Sequence, residues 1–82
     1  MAADEPKRLL QYLAEGLVDD PEAVEVEQFE EDDGTLVLEL AVGAEDYGRI
    51  IGRRGRTAHA LRSVVKASAA SSGAHVLVDI VD

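Results

Sequence analysis

The chain has 82 residues and no cysteine, with 17 acidic against 8 Lys and Arg residues and a formal charge of −9. A chain this short buries only about 60% of the surface it exposes when unfolded, so it forms one small domain over residues 1–82. Without cysteine or a cluster of metal ligands, neither disulfides nor structural zinc can staple it, and the core must be aliphatic. Residues 1–7 are acidic and polar rather than a basic stretch leading into an apolar run, which points to a cytoplasmic protein. The longest apolar-rich stretch, residues 35–44, is far below the ~20 residues a membrane-spanning helix needs, so no membrane insertion is expected.

Asp4 or Glu5 before Pro6 reads as a helix start, because proline is tolerated in a first helical turn. Leu9, Leu10, Leu13 and Leu17 follow at helical spacing, and the pattern stops near Val18, with a loop at Asp19-Asp20-Pro21. Val24 and Val26 alternate with Glu25 and Glu27 as a half-buried strand. Phe29 falls out of that alternation, which predicts a bulge or the strand's end near Gln28. Glu31-Asp32-Asp33-Gly34 reads as a hairpin turn, and Leu36, Leu38, Leu40 and Val42 alternate as a second strand that Gly43 ends.

Residues 44–51 read as a short helix with Glu45 and Asp46 in its first turn, where negative charge suits the helix dipole. A long helix is expected over residues 56–72, with Ala58, Leu61, Val64, Val65 and Ala69 as its buried stripe, His59, Arg62 and Lys66 on a polar face, and Gly73 as C-cap. Val76, Val78 and Ile80 alternate as a last strand. The order αββααβ implies an α+β domain: a three-stranded sheet with helices packed on one face.

Between the two later helices stands Arg49-Ile50-Ile51-Gly52-Arg53-Arg54-Gly55-Arg56-Thr57. Two glycines bracketing two arginines suit a loop whose backbone approaches a phosphate closely, and a helix start behind it supplies N–H groups and a positive dipole end. Residues 1–46 carry fifteen acids, whereas residues 47–78 carry Arg49, Arg53, Arg54, Arg56, Arg62 and Lys66 and no acid. The segregation is either incidental solvated surface or a positive face on an acidic body that attracts polyanions locally.

The segment Ile50-Ile51-Gly52-Arg53-Arg54-Gly55 resembles the hydrophobic-Ile-Gly-x-x-Gly signature of KH domains, and the element order resembles their type II arrangement. Residues 17–22, 46–53, 55–62 and 76–82 are similar to the small stand-alone bacterial KH proteins of the KhpA family; the unusually acidic body, especially Glu25 to Asp33, departs from it. The resemblance implies binding of single-stranded RNA with low sequence specificity, as a post-transcriptional regulator or RNA chaperone. It also implies homodimerisation, or heterodimerisation with a larger KH protein of the Jag or KhpB kind, and a link to cell-shape regulation. In the KH mode the glycine loop clamps about four nucleotides while bases lie in an adjacent apolar groove. Carried onto this chain, Gly52 and Gly55 permit the close approach, Arg53 and Arg54 meet phosphates, Arg56 and Thr57 sit at the helix start, Arg49 flanks the groove and Ile51 faces a base.

No cofactor and no enzymatic activity are expected. A Walker-type phosphate loop and a cysteine nucleophile are absent, and no serine–histidine pair stands out. His59 and His75 lack a third ligand nearby, and Tyr47 is expected to pack rather than stack on a base. A reading of another class is a protein-interaction module that acts mainly by dimerising with a partner KH protein. The small residues 67–71 would permit close helix packing there, or are exposed filler.

Overall fold

The computed structural model describes residues 5–82, so the alternative helix start at Asp4 lies outside the described residues. Six regular elements follow one another: α1 (Glu5–Leu17), β1 (Glu25–Glu30), β2 (Leu36–Ala41), α2 (Tyr47–Ile51), α3 (Arg56–Ala70) and β3 (Val76–Val81). Short 3-10 turns at Pro21–Ala23, Ala44–Asp46 and Arg53–Gly55 lead into β1, α2 and α3. The sheet order is β1-β2-β3, with β1 antiparallel and β3 parallel to β2. The hairpin makes the first pairing, and the α2–α3 crossover makes the second.

One face of the sheet is covered. Val26 of β1, Leu38 and Leu40 of β2, and Val76, Val78 and Ile80 of β3 turn inward under the helices. Leu10 and Ala14 of α1, Ile50 of α2, and Ala58, Leu61, Val65 and Ala69 of α3 close the core from above. Burying a branched aliphatic side chain contributes about 1.5–3 kcal/mol, and this aliphatic set does the work that aromatics do elsewhere. Tyr47 packs against the core, as expected. Arg62, placed on the polar face of α3 by its spacing, donates its Nε–H to the carbonyl oxygen of Val78 at 3.2 Å and so ties the helix to β3.

Three local expectations need correction. No bulge interrupts β1: its register against β2 runs unbroken from Glu25↔Ala41 to Glu30↔Leu36. Phe29 sits on the uncovered face at 48% exposure, and it is Gln28 that faces the core side. The alternation was regular throughout, but a polar residue on the inner face and an aromatic on the outer one inverted its appearance. Val64 is 48% exposed instead of buried, because Leu61, Val65 and Ala69 already saturate the sheet-facing stripe of α3. Leu17, the last leucine of the α1 stripe, is exposed as well, at 41%.

The helix ends obey local chemistry. Gly73 (φ +78°) follows α3 with its N–H bonded to the Ala70 carbonyl at 2.9 Å, while the Ala74 N–H reaches Ala69 at 3.0 Å, a Schellman termination. In the β1–β2 turn, Glu31 N–H meets the Thr35 carbonyl at 2.8 Å, and Asp33 accepts the Thr35 N–H at 2.9 Å.

Candidate nucleic-acid interface

The arginine-rich segment forms a tight connection between α2 and α3. Gly52 ends α2 with φ 77° and ψ 172°, and its N–H bonds the Gly48 carbonyl at 2.8 Å. A Cβ on Gly52 would fall 2.7 Å from the Thr57 Cβ and 2.9 Å from the Thr57 backbone nitrogen, and closer still to the Thr57 hydroxyl. Glycine is therefore required twice here, for the positive φ and for the approach to the first turn of α3.

Arg54 (φ 59°, ψ 25°) and Gly55 (φ 75°, ψ 14°) then both adopt left-handed conformations. Arg54 is the one non-glycine residue with positive φ among the described residues. A non-glycine residue in this region stores about 1 kcal/mol or more of strain, and such strain concentrates at binding loops. The geometry turns the Arg53-Arg54 tip outward: both side chains are exposed, as is that of Arg56. Among the described residues no carboxylate lies within ion-pair distance of Arg53, Arg54 or Arg56.

Arg49 behaves differently from its three neighbours. Its Nη2 donates to Asp19 at 3.1 Å, and its Nε lies 3.5 Å from Asp46. Asp46, only 3% exposed, accepts the backbone N–H groups of Asp19 and Asp20, one on each carboxylate oxygen, both at 3.1 Å. Arg49 thus joins the root of the loop to the segment after α1, in place of standing as a free cation beside a groove. The spacing of Asp46 and Arg49 was visible as helical i, i+3. The role of Asp46 was not, because its partners lie 26 and 27 residues away.

The aliphatic pair before the loop divides its duties: Ile50 is fully buried, and Ile51 is half-buried at the core's margin. On the other side of the loop, Arg56 and Thr57 border an apolar groove between α1 and α3, lined by Tyr12, Leu13, Leu17, Ala60, Leu61 and Val64. The loop, a positive rim and an exposed apolar surface thus adjoin one another. Among the described residues there is no group of three His, Cys, Asp or Glu side chains placed to hold a metal, and no helix long and apolar enough to cross a membrane.

Comparison with known proteins matches these features over nearly the whole chain. A family model described as KhpA/KhpB, KH domain, fits residues 7–80. An RNA-binding protein KhpA of Halalkalibacterium halodurans is 48% identical over 77 residues, covering 93% of this chain and 99% of the relative. One from Leifsonia xyli is 48% identical over 73 residues, covering 89% and 92%. One from Clostridium acetobutylicum is 41% identical over 75 residues, covering 92% and 99%. With the glycine loop seated between two helices and a mixed three-stranded sheet beneath them, the chain belongs to the KhpA/KhpB family of KH-domain proteins.

Proposed function

We propose that this protein binds single-stranded RNA by its backbone, with the Gly52–Gly55 loop as the clamp. The observation that carries the reading is the loop itself: a left-handed Arg54-Gly55 tip that holds Arg53, Arg54 and Arg56 outward, with no carboxylate partner among the described residues, at the start of the 15-residue α3. Arginine meets phosphate oxygens in bidentate geometry, and the helix N-terminus favours the same charge. Gly52 and Gly55 keep the loop narrow, Thr57 anchors it under Gly52, and Ile51 offers apolar surface to a base. Arg49 frames the loop, held by Asp19 and Asp46 through Nη2 and Nε.

Contacts of this kind position a strand without reading its sequence. Low sequence specificity follows, and we extend it to a cytoplasmic role as RNA chaperone or post-transcriptional regulator; that the relatives are RNA-binding proteins supports the binding of RNA itself. The setting in cell-shape control rests on the family resemblance.

The test is fluorescence anisotropy with a labelled single-stranded RNA across a salt series. With about three phosphates engaged, log K falls with log salt at a slope of roughly −2. The double substitution Arg53→Asp, Arg54→Asp removes salt-sensitive binding and leaves the circular dichroism spectrum unchanged. Retention of affinity by that variant sinks the clamp.

A second reading, association with another KH protein, is favoured by the α1–α3 groove, where Tyr12 is 74% exposed and Val64 and Leu17 also face solvent. The occupant we assign to it is a second KH domain, either another copy or that of a larger relative, presenting its own helical face. Val64→Asp then lowers the sedimenting mass without touching the loop.

A further inference from the structure

The sheet face turned away from the helices carries an arrangement that RNA binding leaves unused. Register places Phe29, Val37 and Leu77 side by side across β1, β2 and β3. Phe29 and Leu77 are 48% and 49% exposed, so an apolar strip crosses an otherwise open surface. The next outward row is Glu27, Glu39 and Asp79, three carboxylates directly opposite one another. On the strip's other side lies the β1–β2 turn with Asp32 and Asp33. Strand alternation puts no Lys or Arg among the outward residues of the three strands.

Neither row helps the isolated domain. Like charges directly opposite across strands are destabilising, and an apolar patch rimmed by polar groups marks an interaction surface. Among the described residues the carboxylates do not converge into a metal site. Their sign repels nucleic acid. The topology also holds the strip away from the loop: β3 begins beside Leu36, α3 ends there, and the loop lies at the other end of that helix, about 22 Å along its axis. A symmetric pairing of two copies through this face would bring acidic rows together.

We infer that this face docks a basic amphipathic segment of another protein, apolar side chains covering Phe29, Val37 and Leu77 and Lys or Arg side chains pairing with Glu27, Glu39 and Asp79. Charge complementarity selects the partner and speeds its encounter, and the apolar strip holds it. The clamp loop and this face act on opposite sides of the protein, so RNA and the basic partner bind together.

The probes are two synthetic peptides of equal length and charge, one alternating lysine with leucine, the other lysine with serine. Both are titrated into the ¹⁵N-labelled protein. The lysine–leucine peptide is expected to shift amides of β1, β2 and β3 and to bind about tenfold or more tightly than the lysine–serine peptide, a margin of about 1.4 kcal/mol that burial of a single leucine suffices to supply. Phe29→Ser with Leu77→Ser removes that margin without changing RNA affinity, and Glu27→Lys with Asp79→Lys weakens both peptides. All four positions are exposed or on the open face, and the two pairs test the site independently of each other. Equal affinity for the two peptides, or shifts confined to the α1–α3 groove, overturns the inference. So does a dimer in sedimentation that Phe29→Ser with Leu77→Ser dissolves, since that makes a second copy the occupant.

Discussion

At the scale of single residues, the loop's two glycines are not equivalent. Gly55 has left-handed φ but open space where a Cβ would go, whereas a Cβ on Gly52 would meet the Thr57 backbone at 2.9 Å. Gly55→Ala is therefore expected to cost about 1 kcal/mol, the left-handed penalty alone. Gly52→Ala adds the displacement of α3's first turn and costs about 2–3 kcal/mol more than the parent, read by urea denaturation. Arg54→Gly works in the opposite sense: it relieves about 1 kcal/mol of strain, raises the urea midpoint, and still weakens RNA binding by removing a cation. Asp46 carries a larger share of the site's order. Asp46→Ala leaves two part-buried N–H groups without their acceptor and Arg49 with Asp19 alone, a loss of about 2–4 kcal/mol in the same assay. The Gly-x-x-Gly spacing was legible from the chain, as was the need for arginine beside it. The Asp46 linkage was not, because an N–H donor 26 residues distant leaves no local signature.

At the scale of elements, β1 is the instructive case. Its outer residues include an aromatic and its inner face a glutamine, so a pattern reader sees the alternation break at Phe29 although the ladder continues to Glu30. Gln28 Oε1 is buried without a hydrogen-bond partner among the described residues. Gln28→Val keeps strand propensity, removes that unpaired acceptor, and is expected to stabilise the fold by about 1 kcal/mol in thermal or urea unfolding. The turn that follows is sensitive to pH. Hydrogen bonds from the Thr35 N–H and hydroxyl, with the nearby charge of His75, hold the Asp33 carboxyl below the usual carboxylate range. A lowered folded-state value means the turn's contribution is present at neutral pH and fades as pH falls through that range. Carbon-detected NMR titration should show Asp33 protonating at lower pH than it does in the unfolded chain. For α3, the error at Val64 arose because helical periodicity marks an apolar face without saying how wide the buried part is. Here that face is shared between the sheet and an open groove.

At the scale of the whole molecule, charge segregation governs the response to salt. The body is acidic and the loop basic, within a net charge of −9. Added salt screens repulsion among the carboxylates, including the Glu27–Glu39–Asp79 row, and also screens attraction of RNA to the loop. Raising salt is thus expected to raise the melting temperature while lowering RNA affinity. Thermal melts and anisotropy on the same samples read both signs, and a fall of the two together contradicts the segregation. The sequence by itself determined the element order, the α+β class, the glycine loop and the sign of its charge, because these depend on local periodicity, turn chemistry and composition. Tertiary structure alone decided that Arg49 is held by Asp19 and Asp46, that Val64 faces a groove, and that an apolar strip and a row of carboxylates align across three strands. Each of these is a relation between segments far apart in the chain, brought together only by strand register and helix docking.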